Sequence, residues 1–415
     1  MKKVILFLAC TLITSGAIAQ KKIVDEVNKD VSGFTPDFKA ARDKLKPALT
    51  NAETKDDART WFVAGKTEFG FYDNLLGKKQ IGQQVDDTAM SKALLEGYEY
   101  FMKALPLDSI AETEKDGSFK LDKKGNKKYK TKYSKEIANL VAGHINDFSN
   151  VASVFYENKD YGNAGKAWDI YASLPDAAFL GKSAPEIPDT IIGQVRFFQG
   201  IAAWQNEDNA KAVKAFEQAR KNGYTKKEAF DYAMSCYAGL NDNDGIIAIA
   251  KEAYPIYGKE DNQYISILIN DLINKSKFEE ANKMLDEAIA ANPENAEFYN
   301  VKGTLYENQK EPEKAFEFYK KAIEIKPDYA KGQFDVGRFY FNKAVQKRDE
   351  INKLSGVAYQ KAVANELNPL YKEALPYLEK AYQLDPENND AKNALRNIYY
   401  FLGDEAKLNE LERGY

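Results

Sequence analysis

Small and bulky apolar residues recur along this chain at offsets of four and seven, separated by charged positions. In the stretch 279–293, EEANKMLDEAIAANP, the pattern is Ala281, Leu285 and Ala288, closed by Pro293. Thirty-four residues later, EKAFEFYKKAIEIKP carries Ala315, Tyr319, Ala322 and Pro327. The triplet also stands at Ala212, Phe216 and Ala219, and at Ala374, Leu378 and Ala381 before Pro386. Residues at i, i+4 and i+7 share one face of a helix, so the pattern predicts helices that turn a small-large-small stripe toward a neighbour.

Each stripe needs a partner surface, and the segment before it supplies one. Upstream of Ala315 lie Tyr299, Gly303 and Tyr306, where the glycine permits a tight helix crossing and the aromatics pack beside it. Proline after the second helix stops it and turns the chain into the next pair. A period near 34 residues therefore predicts stacked helix hairpins.

These residues resemble the tetratricopeptide repeat family, whose pattern places an aromatic at position 4, Gly or Ala at 8, Tyr at 11, Ala at 20, an aromatic at 24, Ala at 27 and Pro at 32. The unit 296–329 carries the fullest set. Similar units begin at Gly193 (Gly200, Ala203, Ala212, Phe216, Ala219), at Lys227 (Phe230, Tyr237, Ala250, Ala253), where the register drifts by a residue, and at Asn262. Trp61 with Gly65, and Ala152, Phe155, Ala164 and Trp168, repeat the pattern in degenerate form. A unit opened by Gly337 and Tyr340 receives its second helix 25 residues late, at Ala374.

The resemblance implies an all-α fold, a right-handed superhelical solenoid of helix hairpins whose first helices line a concave groove. Family positions 2, 5, 9 and 12 fall on Phe62, Lys66 and Phe69; on Tyr156; on Phe197, Ile201 and Trp204; on Asp231; on Phe334, Arg338 and Phe341; and on Asn397 and Tyr400. Aromatics and arginine are the residue types that anchor interfaces, so these are the expected partner-binding residues. The Lys and Asn clamp with which relatives hold chaperone tails is not reproduced, because Asn300 and Thr304 stand at the corresponding positions of the fullest unit.

The expected organisation is a signal at 1–19, a helical cap at 20–57, degenerate repeats at 58–192, regular repeats at 193–329, and repeats with a helical insertion and cap at 330–415. Three departures interrupt the period. A polar loop is expected at 77–88. Residues 112–135 hold nine lysines and the turn pairs Asp116-Gly117 and Gly125-Asn126, with the alternation SFKLDKK suited to a small hairpin. Pro175, Pro185 and Pro188 mark an extended connector at 174–190. The insertion 343–372 reads as helical, with Val345, Ile351, Leu354 and Val357 at near-heptad spacing.

Composition narrows the function. With 415 residues, 44% of them apolar, the chain can bury an extensive core. Lys2 and Lys3, an apolar run from Val4 to Ile13 and the small-residue site at Ala17-Ile18-Ala19 read as a secretory signal, which points to export into the periplasm. Phe7 three residues before Cys10 argues against lipidation. Removing two lysines leaves 57 basic against 63 acidic residues, a charge of −6 in place of −4, with no electrostatic footprint for nucleic acid. No later run is apolar enough to span a membrane.

Catalytic and metal chemistry find little to stand on. Cleavage leaves Cys236 as the one cysteine, without a disulfide partner and set among apolar neighbours that suit an inert thiol. His144 is the single histidine, so any triad or zinc site would rest on it alone. Ala64-Gly65-Lys66-Thr67 ends like a phosphate loop but has Thr60 where the first glycine belongs, and the run 241–245 lacks the acid that ends a calcium loop, having Lys251 there. The expectation is a non-catalytic scaffold of the bacterial cell envelope, without cofactor or metal, that binds a protein or peptide in a concave groove. The alternative from another class is a glycan-binding component of outer-membrane uptake, since aromatic faces stack on sugars.

Overall fold

The computed structural model describes residues 20–123 and 125–413; the expected signal and Cys10 lie outside them. Contacts divide the chain after Ile246 into two units. Among the described residues the chain is all-α but for one small sheet.

The first unit contains α1 (residues 20–30), α2 (Phe38–Thr50), α3 (Ala58–Gln80), α4 (Asp87–Leu107), β1 (Ile110–Ala111), β2 (Tyr129–Lys130), α5 (Ser134–Gly143), α6 (Ile145–Glu157), α7 (Tyr161–Ser173), α8 (Asp189–Gln205), α9 (Asn209–Lys221) and α10 (Lys227–Gly239). Helix α11 (Asn243–Tyr257) crosses the division. The second unit continues with α12 (Asn262–Asn274), α13 (Phe278–Ala291), α14 (Ala296–Asn308), α15 (Pro312–Ile325), α16 (Ala330–Ile351), α17 (Gly356–Ala362), α18 (Asn368–Leu384), α19 (Asn389–Leu402) and α20 (Glu405–Arg413). Short loops fold many consecutive helices into hairpins: α3 packs on α4, α6 on α7 and α8 on α9 in the first unit, and α12 on α13, α14 on α15 and α16 on α18 in the second.

Local chemistry sets the helix ends. Asp86, Asp160 and Asp208 cap α4, α7 and α9 by accepting the backbone N–H three residues on, and Asn295 caps α14 by accepting that of Glu297. Five of the hairpin turns share one device. Lys159, Glu207, Asn241, Ser276 and Lys310 all adopt left-handed backbone, with φ between 55° and 63°. Each is followed by a residue whose N–H reaches back to close the first helix, as Asp208 N–H does to Ala203 O at 2.9 Å and Glu311 N–H to Tyr306 O at 3.0 Å.

The stripes form the core. Ala281, Leu285 and Ala288, Ala315, Tyr319 and Ala322, and Ala212, Phe216 and Ala219 are all buried. Glycines on the first helices take the bulky residue of the second at close quarters: a Cβ at Gly200 would lie 2.6 Å from the Phe216 ring, and one at Gly337 would lie 2.6 Å from Leu378 Cγ. The second of these contacts confirms that α18 is the delayed partner of α16.

Three expectations need correction. Helix α3 runs through Gln80, so only 81–86 of the polar stretch is loop, because nothing at Gly77 opposes continued helix. The connector 174–190 contains two 3₁₀ turns, Leu174–Asp176 and Ala178–Ser183, pinned by buried Leu174 and Leu180 before it extends. In the insertion Ala344, Ile351, Ala362, Leu367 and Tyr371 form the seam, whereas Leu354 and Val357 are exposed, at 45% and 68%. The chain turns at 352–355, which breaks the heptad.

Candidate functional site

In the first unit, α6, α8 and α10 are the first helices of successive hairpins, and together they line a groove of about 700 Å³. Its wall is aromatic. Tyr156 comes from α6; Phe197, Phe198 and Ile201 from α8; Tyr232 from α10, with Trp168 of α7 and Tyr224 of the α9–α10 turn behind them. The rings brace one another. Phe198 stacks on Trp168 at 5.8 Å, Phe197 on Tyr224 at 4.7 Å, Tyr232 on Phe216 at 5.8 Å, and Tyr156 tilts against Trp168 at 5.8 Å. Such mutual packing fixes the rotamers, so a ligand would lose little entropy from the protein side on binding.

Phe198 is the most open of these rings, with 40% of its surface exposed. Two carboxylates, Glu157 and Glu228, stand exposed among the lining residues, with Ser149 and Ser153 between them on the α6 side. The groove therefore offers a flat apolar floor with negative charge at its margin. That chemistry suits an apolar side chain next to a lysine or arginine.

The structure places the expected groove residues unevenly. Tyr156, Phe197 and Ile201 line the groove, although Phe197 is buried and forms its floor. Trp204 packs edge-on against Tyr232 at 5.1 Å, and Asp231 pairs with Lys227 at 2.7 Å. Phe62 and Phe69 are core residues, not groove wall: Phe62 stacks on Tyr133 at 4.6 Å and Phe69 meets Phe101 at 5.0 Å. Lys66 is half-buried beside them, donating to Ser32 Oγ at 3.1 Å.

In the second unit Phe334, Arg338, Phe341 and Asn397 line a more polar concavity of about 490 Å³ between α16 and α19, with Asp335, Asp390 and Asn393. Arg338 is not free there. Its guanidinium grips both oxygens of Glu307, at 2.6 and 2.7 Å, and Asp335 Oδ1 at 2.9 Å. Asp335 in turn accepts from the buried amide of Asn300 at 3.0 Å. Arginine and Asn300 thus tie α14 to α16. Tyr400 stands 71% exposed against Phe401, and the Asn397 amide donates to Asn393 O.

Sequence spacing missed Phe198 and Tyr232. Both occupy family position 6, one residue beyond the offset taken for the groove; the signal was present in the doubled aromatic Phe197-Phe198 and in Tyr232 beside Asp231.

The other candidate chemical groups have structural partners. His144 sits between α5 and α6, with Nε2 2.9 Å from Asp73 Oδ1 and Nδ1 2.7 Å from Leu140 O. Cys236 is fully buried, and that burial pushes its thiol up to about 11. Gly65 and Lys66 lie inside α3, and Asp242 caps the turn at Gly245.

The Tetratricopeptide repeat family model matches residues 268–330, the segment that holds α13, α14 and α15. Residues 268–330 carry tetratricopeptide repeats. Repeats of this family serve in general as scaffolds for protein–protein contacts. Among solved structures the chain is similar to YrrB, described as a TPR protein with an unusual peptide-binding site, at 19% identity and a TM-score of 0.33 over 45% of this chain and 88% of that one. It is also similar to TTC0263, a thermophilic TPR protein in Thermus thermophilus, at 17% identity and a TM-score of 0.33 over 51% and 98%. A TPR repeats protein of Bacteroides fragilis matches at 16% identity and a TM-score of 0.31 over 62% and 98%. The comparison with curated proteins found no match.

Proposed function

We propose that this tetratricopeptide-repeat chain is a non-catalytic scaffold of the bacterial cell envelope that binds an extended segment of a partner protein in the groove of α6, α8 and α10. One observation carries the reading: Phe198, Tyr156 and Tyr232 present aromatic faces from successive first helices, braced from behind by Trp168 and Phe216. The partner segment it fits carries an apolar anchor beside a basic residue, which Glu157 and Glu228 would meet. Export rests on the amino-terminal pattern of basic pair, apolar run and small-residue site. Among the described residues no helix is long and apolar enough to cross a membrane.

Site-specific photocrosslinking tests this. A benzophenone side chain at position 198 should yield one dominant protein adduct from envelope extract, and the same probe at Lys214, exposed on α9, should not. Equal labelling at both positions, or capture of glycan alone at 198, would count against it.

A further inference from the structure

The lysine-rich segment 112–135 folds as a β module with an unusual backbone. Glu112 N–H donates to Lys128 O at 2.8 Å, Lys128 N–H to Lys120 O at 2.7 Å, and Lys120 N–H to Glu112 O at 2.9 Å, closing a ring of three hydrogen bonds. The residues in that ring are eight apart, and the sequence repeats with the same step: Gly117 and Gly125 take left-handed turns with φ of 85° and 84°, each followed by a short polar residue, Ser118 and Asn126. The buried carboxylate of Asp108 holds the module to the helices, accepting the backbone N–H groups of Lys132, Tyr133 and Ser134 at 2.8–3.0 Å.

Strand pairing decides which side chains share a face. Thr113 pairs with Phe119, Leu121 with Lys127, and Ala111 with Tyr129, all antiparallel. Directly paired residues point to the same side, and so do residues two apart along a strand. Phe119, Leu121 and Tyr129 therefore stand together on one face, and they are 47%, 58% and 56% exposed. Lys127 shares that face and lies over the Phe119 ring at 3.7 Å, whereas the same alternation puts Lys120, Lys128 and Lys130 on the opposite face, where Lys120 pairs with Glu112 at 3.5 Å.

Charge identifies the occupant. Residues 112–135 hold nine lysines and four acids, 9 − 4 = +5, in a chain whose total is −4, so the remainder carries −4 − 5 = −9. A strong local positive field on an acidic protein selects an anionic partner. Three open apolar side chains with Lys127 beside them, on a small module of net charge +5, are the combination that enters the boundary between lipid headgroups and acyl chains: Phe and Leu insert, Tyr lies at headgroup level, and flexible lysine stems extend from the module toward the phosphates. We infer that this module is a peripheral anchor for an anionic phospholipid surface.

Vesicle flotation of the full chain tests the assignment, using vesicles of phosphatidylglycerol and phosphatidylcholine in equal parts and of phosphatidylcholine alone. The protein should float with the anionic vesicles only, and raised salt should release it. Joint replacement Phe119→Ser, Leu121→Ser and Tyr129→Ser should weaken binding at least about tenfold while leaving helical circular dichroism unchanged. A second variant, Lys120→Gln, Lys127→Gln, Lys128→Gln and Lys130→Gln, keeps the apolar face and should weaken it comparably. Flotation unaffected by either variant, equal flotation on both vesicles, or capture of an acidic protein by a chain that does not float would overturn it.

Discussion

Gly303 and Tyr319 touch so closely that a methyl group on the glycine would collide with the tyrosine ring. They stand at the crossing of α14 and α15, where the buried ring also donates its hydroxyl to Glu307 Oε2 at 2.7 Å. Gly303→Ala should lower stability by about 1–3 kcal/mol through overpacking, measured by urea unfolding. The double variant Gly303→Ala with Tyr319→Leu should recover part of the loss. Purely additive effects would show that the crossing is not set by this contact.

Arg338 spans two repeats through Glu307 and the buried Asp335. Glu307 is held below the usual carboxylate range, first by the Arg338 hydrogen bond and, against burial, also by Tyr319. Arg338→Ala should cost about 1–3 kcal/mol of stability by taking the bidentate cation from Glu307 and leaving Asp335 with the cation of Lys331 alone. The check is chemical unfolding of the variant, and an unchanged midpoint would mean the guanidinium adds nothing net.

Much of the fold was legible in the chain because a small-large-small stripe has one helical interpretation and its repeat fixes the partner. The site was less so. Residue type marked Arg338 as an interface anchor, but its carboxylate partner Glu307 lies 31 residues away on another helix, beyond what local spacing shows. Phe62 and Phe69 occupy groove offsets in a degenerate unit where other rings cover them, Phe101 and Tyr133 against Phe62 and Phe101 against Phe69, so they lie in the core. At Phe198 the error was a single residue along the helix, enough to rotate the chosen face. The β module's apolar face depended on strand pairing that alternation in SFKLDKK only half revealed.

Lys310 closes α14 in left-handed backbone at φ 63°, although it carries a Cβ. Lys310→Gly should stabilise the protein by about 0.5–1 kcal/mol, the relief of strain exceeding the added freedom of the unfolded chain. Thermal unfolding reads this directly, and a lower midpoint would contradict it.

Stability should fall as pH rises from about 5 to about 8. Burial raises the Glu68 carboxyl to about 7 despite its hydrogen bond from Arg42, so the fold favours its protonated form. That contribution is complete below the unfolded value near 4.3 and is lost as pH climbs through about 7. His144 acts in the same direction: burial opposes its charge, but Asp73 and Leu140 O outweigh burial and raise it above its ordinary value. Glu68→Gln should flatten the pH profile of the unfolding midpoint, and a profile as steep as the parent's would exclude Glu68 as its source.

The aromatic groove is tested most directly by isothermal titration of the purified crosslinked partner segment against the parent chain and Phe198→Ala. The account predicts at least about tenfold weaker binding for the variant, with the helical spectrum unchanged and the protein still folded at the assay temperature despite the lost stacking on Trp168, because the open part of the ring meets ligand. An unaltered dissociation constant would contradict it.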